Sequence, residues 1–208
     1  MRLIGLTGPA GSGKDSVADV LCRDHGFVRY EFARPLKAAL NAMFGWTPAQ
    51  WNDREWKERK IDWLGASPRR LAQTLGTEWG RQIINPDIWL LLAAQFVRNP
   101  PKRIVSWSTP LHHSGEAWGE QAANGIVITD CRFQNEAAFI SENDGEIWHI
   151  DRPGVGAVEA HASEAGLERF PGDLVIVNDG SLVWLADTVR DAMARPELYR
   201  VLFDGQVA

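Results

Sequence analysis

The run Gly8-Pro9-Ala10-Gly11-Ser12-Gly13-Lys14 places a lysine directly behind a glycine-rich turn with GxxxxGK spacing. Glycines let the backbone curl until successive N–H groups converge on one anion, and a helix N-terminus behind the turn adds its own positive end. Lys14 supplies a mobile charge that can follow the outer phosphates of a nucleotide, so the chemistry implied is capture of a polyphosphate tail by Gly11, Ser12, Gly13 and Lys14. A glycine-rich turn with an exposed lysine is the plain alternative. The flanks argue against it, because Arg2 to Thr7 reads as a short apolar strand and Lys14 to His25 as a helix with Val17, Val20 and Leu21 on its inner face. The hydroxyl that commonly follows such a lysine and binds Mg²⁺ is replaced by Asp15, with Ser16 next. Either the Asp15 carboxylate, acting on the ion's water shell, or the Ser16 hydroxyl could serve as the metal contact, since Mg²⁺ keeps several waters.

A second cluster follows the apolar run Ile126-Val127-Ile128-Thr129, which ends in the carboxylate of Asp130. An aspartate at a strand end is placed to face a phosphate loop and its metal. Cys131-Arg132-Phe133-Gln134-Asn135-Glu136 then sets a cation and further polar groups just past the strand, where α/β sheets bind ligands. Asp130 and Arg132 are therefore candidate catalytic groups beside Lys14, and Asn135 and Glu136 candidate substrate contacts. Read without the glycine loop, the same residues make only a helix N-terminus with acidic first-turn residues.

A phosphorylated acceptor would bring its own negative charge and need cations. Lys37 in Phe32-Ala-Arg-Pro-Leu-Lys37 is one candidate, and Arg69, Gln73, Glu78 and Arg81 in Ser67 to Arg81 are others. If that stretch is one α-helix, Arg70, Gln73, Thr77 and Arg81 share a stripe with Arg69 beside it. Polar stripes are commonly just solvated, but phosphoryl transfer needs arginines against transition-state charge. Arg152 opens a Gly-rich stretch through His161-Ala-Ser-Glu164 that reads as a small lid over ATP, with a plain surface loop as its alternative. His161, Ser163 and Glu164 lie too close in sequence to support a hydrolase triad. Asn178-Asp179-Gly180-Ser181 follows the last strand as a turn, with Ser181 capping the next helix and Asn178 and Gly180 candidates to border a nucleotide base.

The elements that must hold these groups alternate along the chain. Phe27 to Phe32, Arg103 to Trp107, Gly125 to Thr129, Glu146 to Ile150 and Asp173 to Val177 read as short strands; the last four are rich in β-branched residues, as buried parallel strands are. Helices are expected from Pro35 to Gly45, after Thr47-Pro48 and Ser67-Pro68, from Pro68 to about Ile84, over Asp87 to Val97 as a buried helix on a sheet, and from Phe133 and Leu182. Ser108 to Asn124, which holds His112 and His113, reads as an insertion or mobile loop. The whole implies a three-layer α/β domain spanning 1–208.

Composition narrows the rest. A formal charge of −5 over 208 residues argues against stable, broad binding to nucleic acid or acidic membrane surfaces. Cys22 and Cys131 have neither disulfide-framework nor metal-ligand spacing, which fits a reducing cytoplasm. The apolar start MRLIGLTG is too short for a signal core or a membrane span. Among ten tryptophans most should pack in the core, while a few could line a base-sized pocket.

Together these residues resemble the phage-type deoxynucleoside monophosphate kinases, relatives of dephospho-coenzyme A kinase within the P-loop nucleoside monophosphate kinase superfamily. The likeness rests on Leu3 to Asp19 with its Gly-Lys-Asp-Ser, Phe32 to Lys37, Ser67 to Arg81, Val127 to Ala137, His161 to Glu164 and Asn178 to Leu182; the Asp15 departure is itself shared. The resemblance implies a P-loop domain with a parallel sheet, a helical acceptor-binding insertion at about 35–100 and a lid at about 152–170. It implies transfer from Mg-ATP to a deoxynucleoside monophosphate, with ATP and Mg²⁺ as cofactors and small nucleotides as partners. By the same likeness the Arg69 helix meets the acceptor, Arg132 binds phosphate, Arg152 lies in the lid and Asn178 to Ser181 lie near adenine. The Arg103 to Asn124 segment departs from the pattern. Location would be the cytoplasm, of the host if phage-encoded, and a homodimer is compatible with the resemblance. The competing readings are another small-molecule kinase such as dephospho-coenzyme A kinase, or an ATPase switch with no acceptor; the Asn-Lys-x-Asp base-reading motif of GTPase switches is absent.

Overall fold

The computed structural model describes residues 1–108, 116–154 and 167–202, and divides the chain into two compact units, 1–30 with 96–208, and 31–95. The first holds a sheet of five parallel strands in the order β2 (Phe27–Tyr30), β5 (Gly125–Ile128), β1 (Arg2–Thr7), β6 (Glu146–Asp151), β7 (Leu174–Val177). β1 is central, and the chain leaves it for β2 on one side and later returns to β6 on the other, which makes the C-terminal end of β1 a switch point of the topology.

Alternation along β1 assigns the layers. Ile4 and Leu6 join Val17 and Leu21 of α1 (Lys14–His25) and Leu185 and Val189 of α7 (Leu182–Ala194) in the main core, all at 5% exposure or less. Gly5 points the other way, under α6 (Gln134–Glu142), so closely that a Cβ there would stand 2.3 Å from Ile140 Cδ1. Helices therefore cover both faces, and the expected three-layer α/β architecture is present in this unit. The central strands are buried throughout because neither face meets water.

One expected parallel strand is not part of this sheet. β3 (Arg103–Ser108) pairs antiparallel with β4 (Glu116–Gln121) in a separate two-stranded ribbon, Arg103 opposite Gln121 and Ser108 opposite Glu116. The stretch expected as an insertion or mobile loop thus contains a hairpin strand, and His112 and His113 lie outside the described residues. The physical reason is that β-branched content reports a pleated strand and not its partner; adjacency along the chain favoured the hairpin.

The second unit is helical: α2 (Arg34–Phe44), a 3₁₀ turn at Pro48–Asn52, α3 (Arg54–Glu58), α4 (Pro68–Gln73), a π-helix at Thr74–Ile84 and most of α5 (Ile88–Arg98). The expected Ser67 cap is in place, its Oγ accepting Arg70 N–H at 3.2 Å, whereas at Thr47 the backbone N–H and the hydroxyl both donate to Gln50 Oε1, at 2.7 and 3.1 Å. The expectation of one α-helix from Pro68 to Ile84 is corrected, since its second half winds with i→i+5 bonds such as Asn85 N–H to Gly80 O. Trp89 explains part of this. Its indole N–H donates to Gly76 O at 2.8 Å, a carbonyl that an α-helix would reserve for Gly80, and its ring sits where a Cβ on Gly80 would be, at 2.7 Å. α5 is also less buried than its apolar sequence implied: Trp89 and Ala93 are inside, whereas Leu91 is 55% exposed. Trp46, Trp51 and Trp56 meet edge to face at 5.0–5.8 Å, with Phe44 stacked on Trp46, so half the unit's tryptophans serve as its local core.

Candidate active site

Because all five strands run in one direction, their C-terminal ends share one edge of the sheet, and four of them open directly into the segments singled out by sequence: Gly8 to Lys14 after β1, Asp130 to Glu136 after β5, Arg152 after β6, and Asn178 to Ser181 after β7. Sequence separation of more than 160 residues is thereby cancelled, and the contacts are direct. Asn178, buried on the last of these turns, donates from Nδ2 to Ser12 O at 2.8 Å, and Arg152 Nη1 donates to Gly11 O at 3.1 Å.

The loop's shape depends on glycine at its ends. Gly8 has φ 135° and a Cβ on it would stand 2.4 Å from Ile150 O; Gly13 has φ 105° and its Cβ would stand 2.4 Å from Asn178 Nδ2. Side chains are excluded by conformation and by space together. α1 then begins on Gly13 with no side-chain cap on its first turn, which leaves the helix end to an outside acceptor. Ser12 is fully buried and its hydroxyl has no hydrogen-bond partner. Lys14 folds back, Nζ donating to Gly8 O at 2.7 Å and Pro9 O at 2.8 Å, so its charge rests on the loop's own carbonyls. A glycine nest, an uncapped helix start, an orphaned hydroxyl and a tethered ammonium fit the phosphates of a nucleotide.

Asp15 is largely exposed and turned toward β2, where Arg29 meets its carboxylate at 3.4 Å, its carbonyl at 2.8 Å and Asp19 at 2.9 Å. Sequence reasoning passed over Arg29, although a lone arginine inside the apolar strand Phe27-Val28-Arg29-Tyr30 was a signal. Ser16 is half-buried one residue on. Among the described residues no three His, Cys, Asp or Glu side chains gather as a metal cage.

Past β5, Asp130 is half-buried and Cys131 N–H donates to Leu6 O at 3.2 Å, tying this segment to β1 beside the loop. Glu136 is 2% exposed, and its carboxylate accepts the N–H groups of Arg132 at 2.8 Å and Phe133 at 3.2 Å. Glu136, expected as a substrate contact, thus holds the backbone at Arg132 and Phe133, just past the strand end. Asn135, half-buried, sits on the first turn of α6. Burial first, and then the carboxylates of Glu136 and Asp130, push the Cys131 thiol well above its usual value. Asp151, at the end of β6, is paired with Arg169 at 2.7 Å. The lid expected at about 152–170 falls mostly on 155–166, and His161, Ser163 and Glu164 with it lie outside the described residues.

The acceptor-side residues belong to the second unit. Lys37 is paired with Glu31, Arg69 with Glu58 at 2.6 Å, and Arg70 with Glu78 at 3.2 Å; Gln73 and Arg81 lie on α4 and on the π-helix that continues it. Each of the three cations therefore already carries a carboxylate, in partly exposed pairs of the kind that a stronger anion can displace. Lys14, Asp130, Arg132, Arg152, Asn178 and Gly180 are assembled along one sheet edge, whereas Lys37, Arg69, Gln73, Glu78 and Arg81 belong to the second unit.

A family model described as deoxynucleotide monophosphate kinase matches residues 56–189. A protein of Acanthamoeba polyphaga mimivirus, assigned by name to deoxynucleotide monophosphate kinase, is 35% identical over 88% of this chain and 91% of its own. The deoxynucleoside-5′-monophosphate kinase of Escherichia phage T5 is 25% identical over 72% of this chain and 74% of its own, and the deoxynucleotide monophosphate kinase of Enterobacteria phage T4 is 25% identical over 93% and 99%. With a family model matching residues 56–189 and a relative 35% identical over 88% of its length, this chain belongs to the deoxynucleotide monophosphate kinase family.

Proposed function

We propose that this protein transfers the γ-phosphoryl group of ATP to a deoxynucleoside monophosphate, releasing ADP and a deoxynucleoside diphosphate. The observation that carries the reading is the convergence of the glycine loop, Asp130 and Arg132, Arg152 and Asn178 on one edge of the parallel sheet. Gly11, Ser12, Gly13 and the first turn of α1 cradle the donor phosphates, and Lys14 leaves the carbonyls of Gly8 and Pro9 to follow the charge moving onto the transferred group. Arg132, held by Glu136, faces the same charge, and Arg152 closes over the loop it already touches. Asp15, Ser16 and Asp130 would hold the Mg²⁺ brought with ATP, which would supply further charge neutralisation. Lys37, Arg69, Gln73, Glu78 and Arg81 take the acceptor; its phosphate exchanges with the carboxylates now paired to Lys37 and Arg69. Among the described residues no helix is long and apolar enough to cross a membrane, and we place the enzyme in the cytoplasm, of the host if it is virally encoded.

The test is an acceptor panel. Purified protein with Mg-ATP and, separately, dAMP, dGMP, dCMP, dTMP, the matching ribonucleotides and dephospho-coenzyme A should yield a deoxynucleoside diphosphate with equimolar ADP. Phosphorylation of dephospho-coenzyme A alone, or ADP release with no phosphorylated acceptor, would overturn it.

A further inference from the structure

The turn after β7 carries a cluster of apolar side chains left in water. Val177 is 41% exposed, Leu182 72%, Val183 71% and Trp184 43%, all within one turn and the helix start behind it. Isolated exposed apolar residues are ordinary; a group containing an indole, beside a polyanion cradle, has a ligand chemistry of its own.

The indole is firmly placed. A Cβ on Gly180 would lie 3.0 Å from Trp184 Cγ and Cδ2, so the ring rests across the bare backbone of that glycine. Ser181 Oγ accepts the Trp184 N–H at 3.2 Å, and Thr188 Oγ1 donates to the Trp184 carbonyl at 2.9 Å. The adjoining side chain, Leu185, is buried, with its Cδ2 3.6 Å from where a Cβ on Gly13 would be, and Asn178 on the same turn holds Ser12 O. Trp184 is thus one residue from direct contact with the phosphate loop, yet its ring is not consumed by the core. An aromatic ring packed against a glycine and 43% exposed suits a flat heteroaromatic ring, because stacking needs only a π-face and excludes water from both partners.

We propose that Trp184 is the base platform of the donor site, stacking the purine of the nucleotide whose phosphates occupy the Gly8 to Lys14 loop. This rests on the reading of that loop as the donor nucleotide site. A hydrocarbon face reads ring size and not the pattern of donors and acceptors, so the platform favours purines over pyrimidines and does not separate adenine from guanine. Loss of the indole therefore weakens ADP and GDP by similar factors and leaves a bare polyphosphate untouched.

Calorimetric titration of the whole protein tests this with ADP, GDP and inorganic tripolyphosphate against wild type, Trp184→Ala, Trp184→Leu and Trp184→Phe, with melting temperatures as the folding control. Leucine keeps apolar bulk on α7 and removes the π-face, so a folded Leu variant stands in if the Ala variant does not fold. Expected is roughly 5- to 150-fold weaker ADP and GDP binding for Ala and Leu, near wild-type binding for Phe, and unchanged tripolyphosphate binding throughout. A folded Leu or Ala variant with wild-type ADP affinity overturns the proposal. So does an equal loss for tripolyphosphate, or a fall in sedimenting mass with ADP affinity intact, which would make the patch a self-association face. Wild type that phosphorylates a deoxynucleoside monophosphate while Trp184→Leu binds ADP normally sinks the platform alone; wild type that binds neither ADP nor tripolyphosphate sinks the kinase reading with it.

Discussion

Replacing Gly13 by alanine tests how the phosphate loop is built, and the structure sets the size of the effect. At φ 105° a Cβ carries backbone strain of about 1–2 kcal/mol. The same Cβ would stand 2.4 Å from Asn178 Nδ2, and the amide must leave its 2.8 Å bond to Ser12 O, which leaves a carbonyl unpaired at a cost of about 1–3 kcal/mol. The sum, about 2–5 kcal/mol, corresponds to a melting temperature lower by roughly 5–15 °C in a chain of this size. Gly11 provides the control. It also has positive φ, at 81°, but nothing lies within 4 Å of its Cβ, so Gly11→Ala should show the strain alone, roughly 2–8 °C. Asn178→Ala removes the obstructing amide, and in that background Gly13→Ala should cost only strain, giving a coupling of about 1–3 kcal/mol between the two sites. Circular dichroism melts of the two alanine variants, with urea unfolding of the double-mutant cycle, measure all of this. Equal melting of Gly13→Ala and Gly11→Ala, or strict additivity with Asn178→Ala, would refute the packing of the last turn against the loop.

Lys14→Ala should lower phosphoryl transfer by about 10²- to 10³-fold, the effect of removing one group aimed at developing charge, with a melting temperature near wild type, as steady-state kinetics and melts would establish. Arg69→Ala should raise the acceptor KM well above any change in the ATP KM; equal losses for both nucleotides would move Arg69 off the acceptor side. Asp24 is held well below the ordinary carboxylate range by hydrogen bonds from Arg23 and then Arg190. Its pairing is therefore fully present above the unfolded value near pH 3.9 and lost as pH falls through the depressed folded value. The stability gap between wild type and Asp24→Asn should accordingly be open at pH 7 and close in acid, as urea midpoints over that range would reveal.

How much could be read in advance depended on how local the signal was. The phosphate loop and its flanking strand and helix are written in some 25 consecutive residues, so β1 and α1 were legible to the residue, as were the serine caps of α4 and α7. Arg103 to Ser108 was read as one more parallel strand because Ile104 and Val105 look like any buried strand; only pairing with Glu116–Gln121 reveals the hairpin. The π-helix was invisible for a related reason, since apolar periodicity over Thr74 to Ile84 suits an α-helix and the indole that claims Gly76 O arrives from Trp89, 13 residues on. Glu136 looked like a ligand contact because a carboxylate after a strand end is one; its burial against the Arg132 and Phe133 amides is a tertiary fact. Arg29 matters through a neighbour that the sheet supplies, Asp15 from α1.

The most direct test of the central claim follows the transferred group itself. Incubation with ATP radiolabelled at the γ-phosphate and an unlabelled deoxynucleoside monophosphate should place the label on the β-phosphate of the resulting deoxynucleoside diphosphate, one label for each ADP formed. Label recovered only as inorganic phosphate, at a rate indifferent to the deoxynucleotide, would show hydrolysis without an acceptor and contradict the kinase assignment.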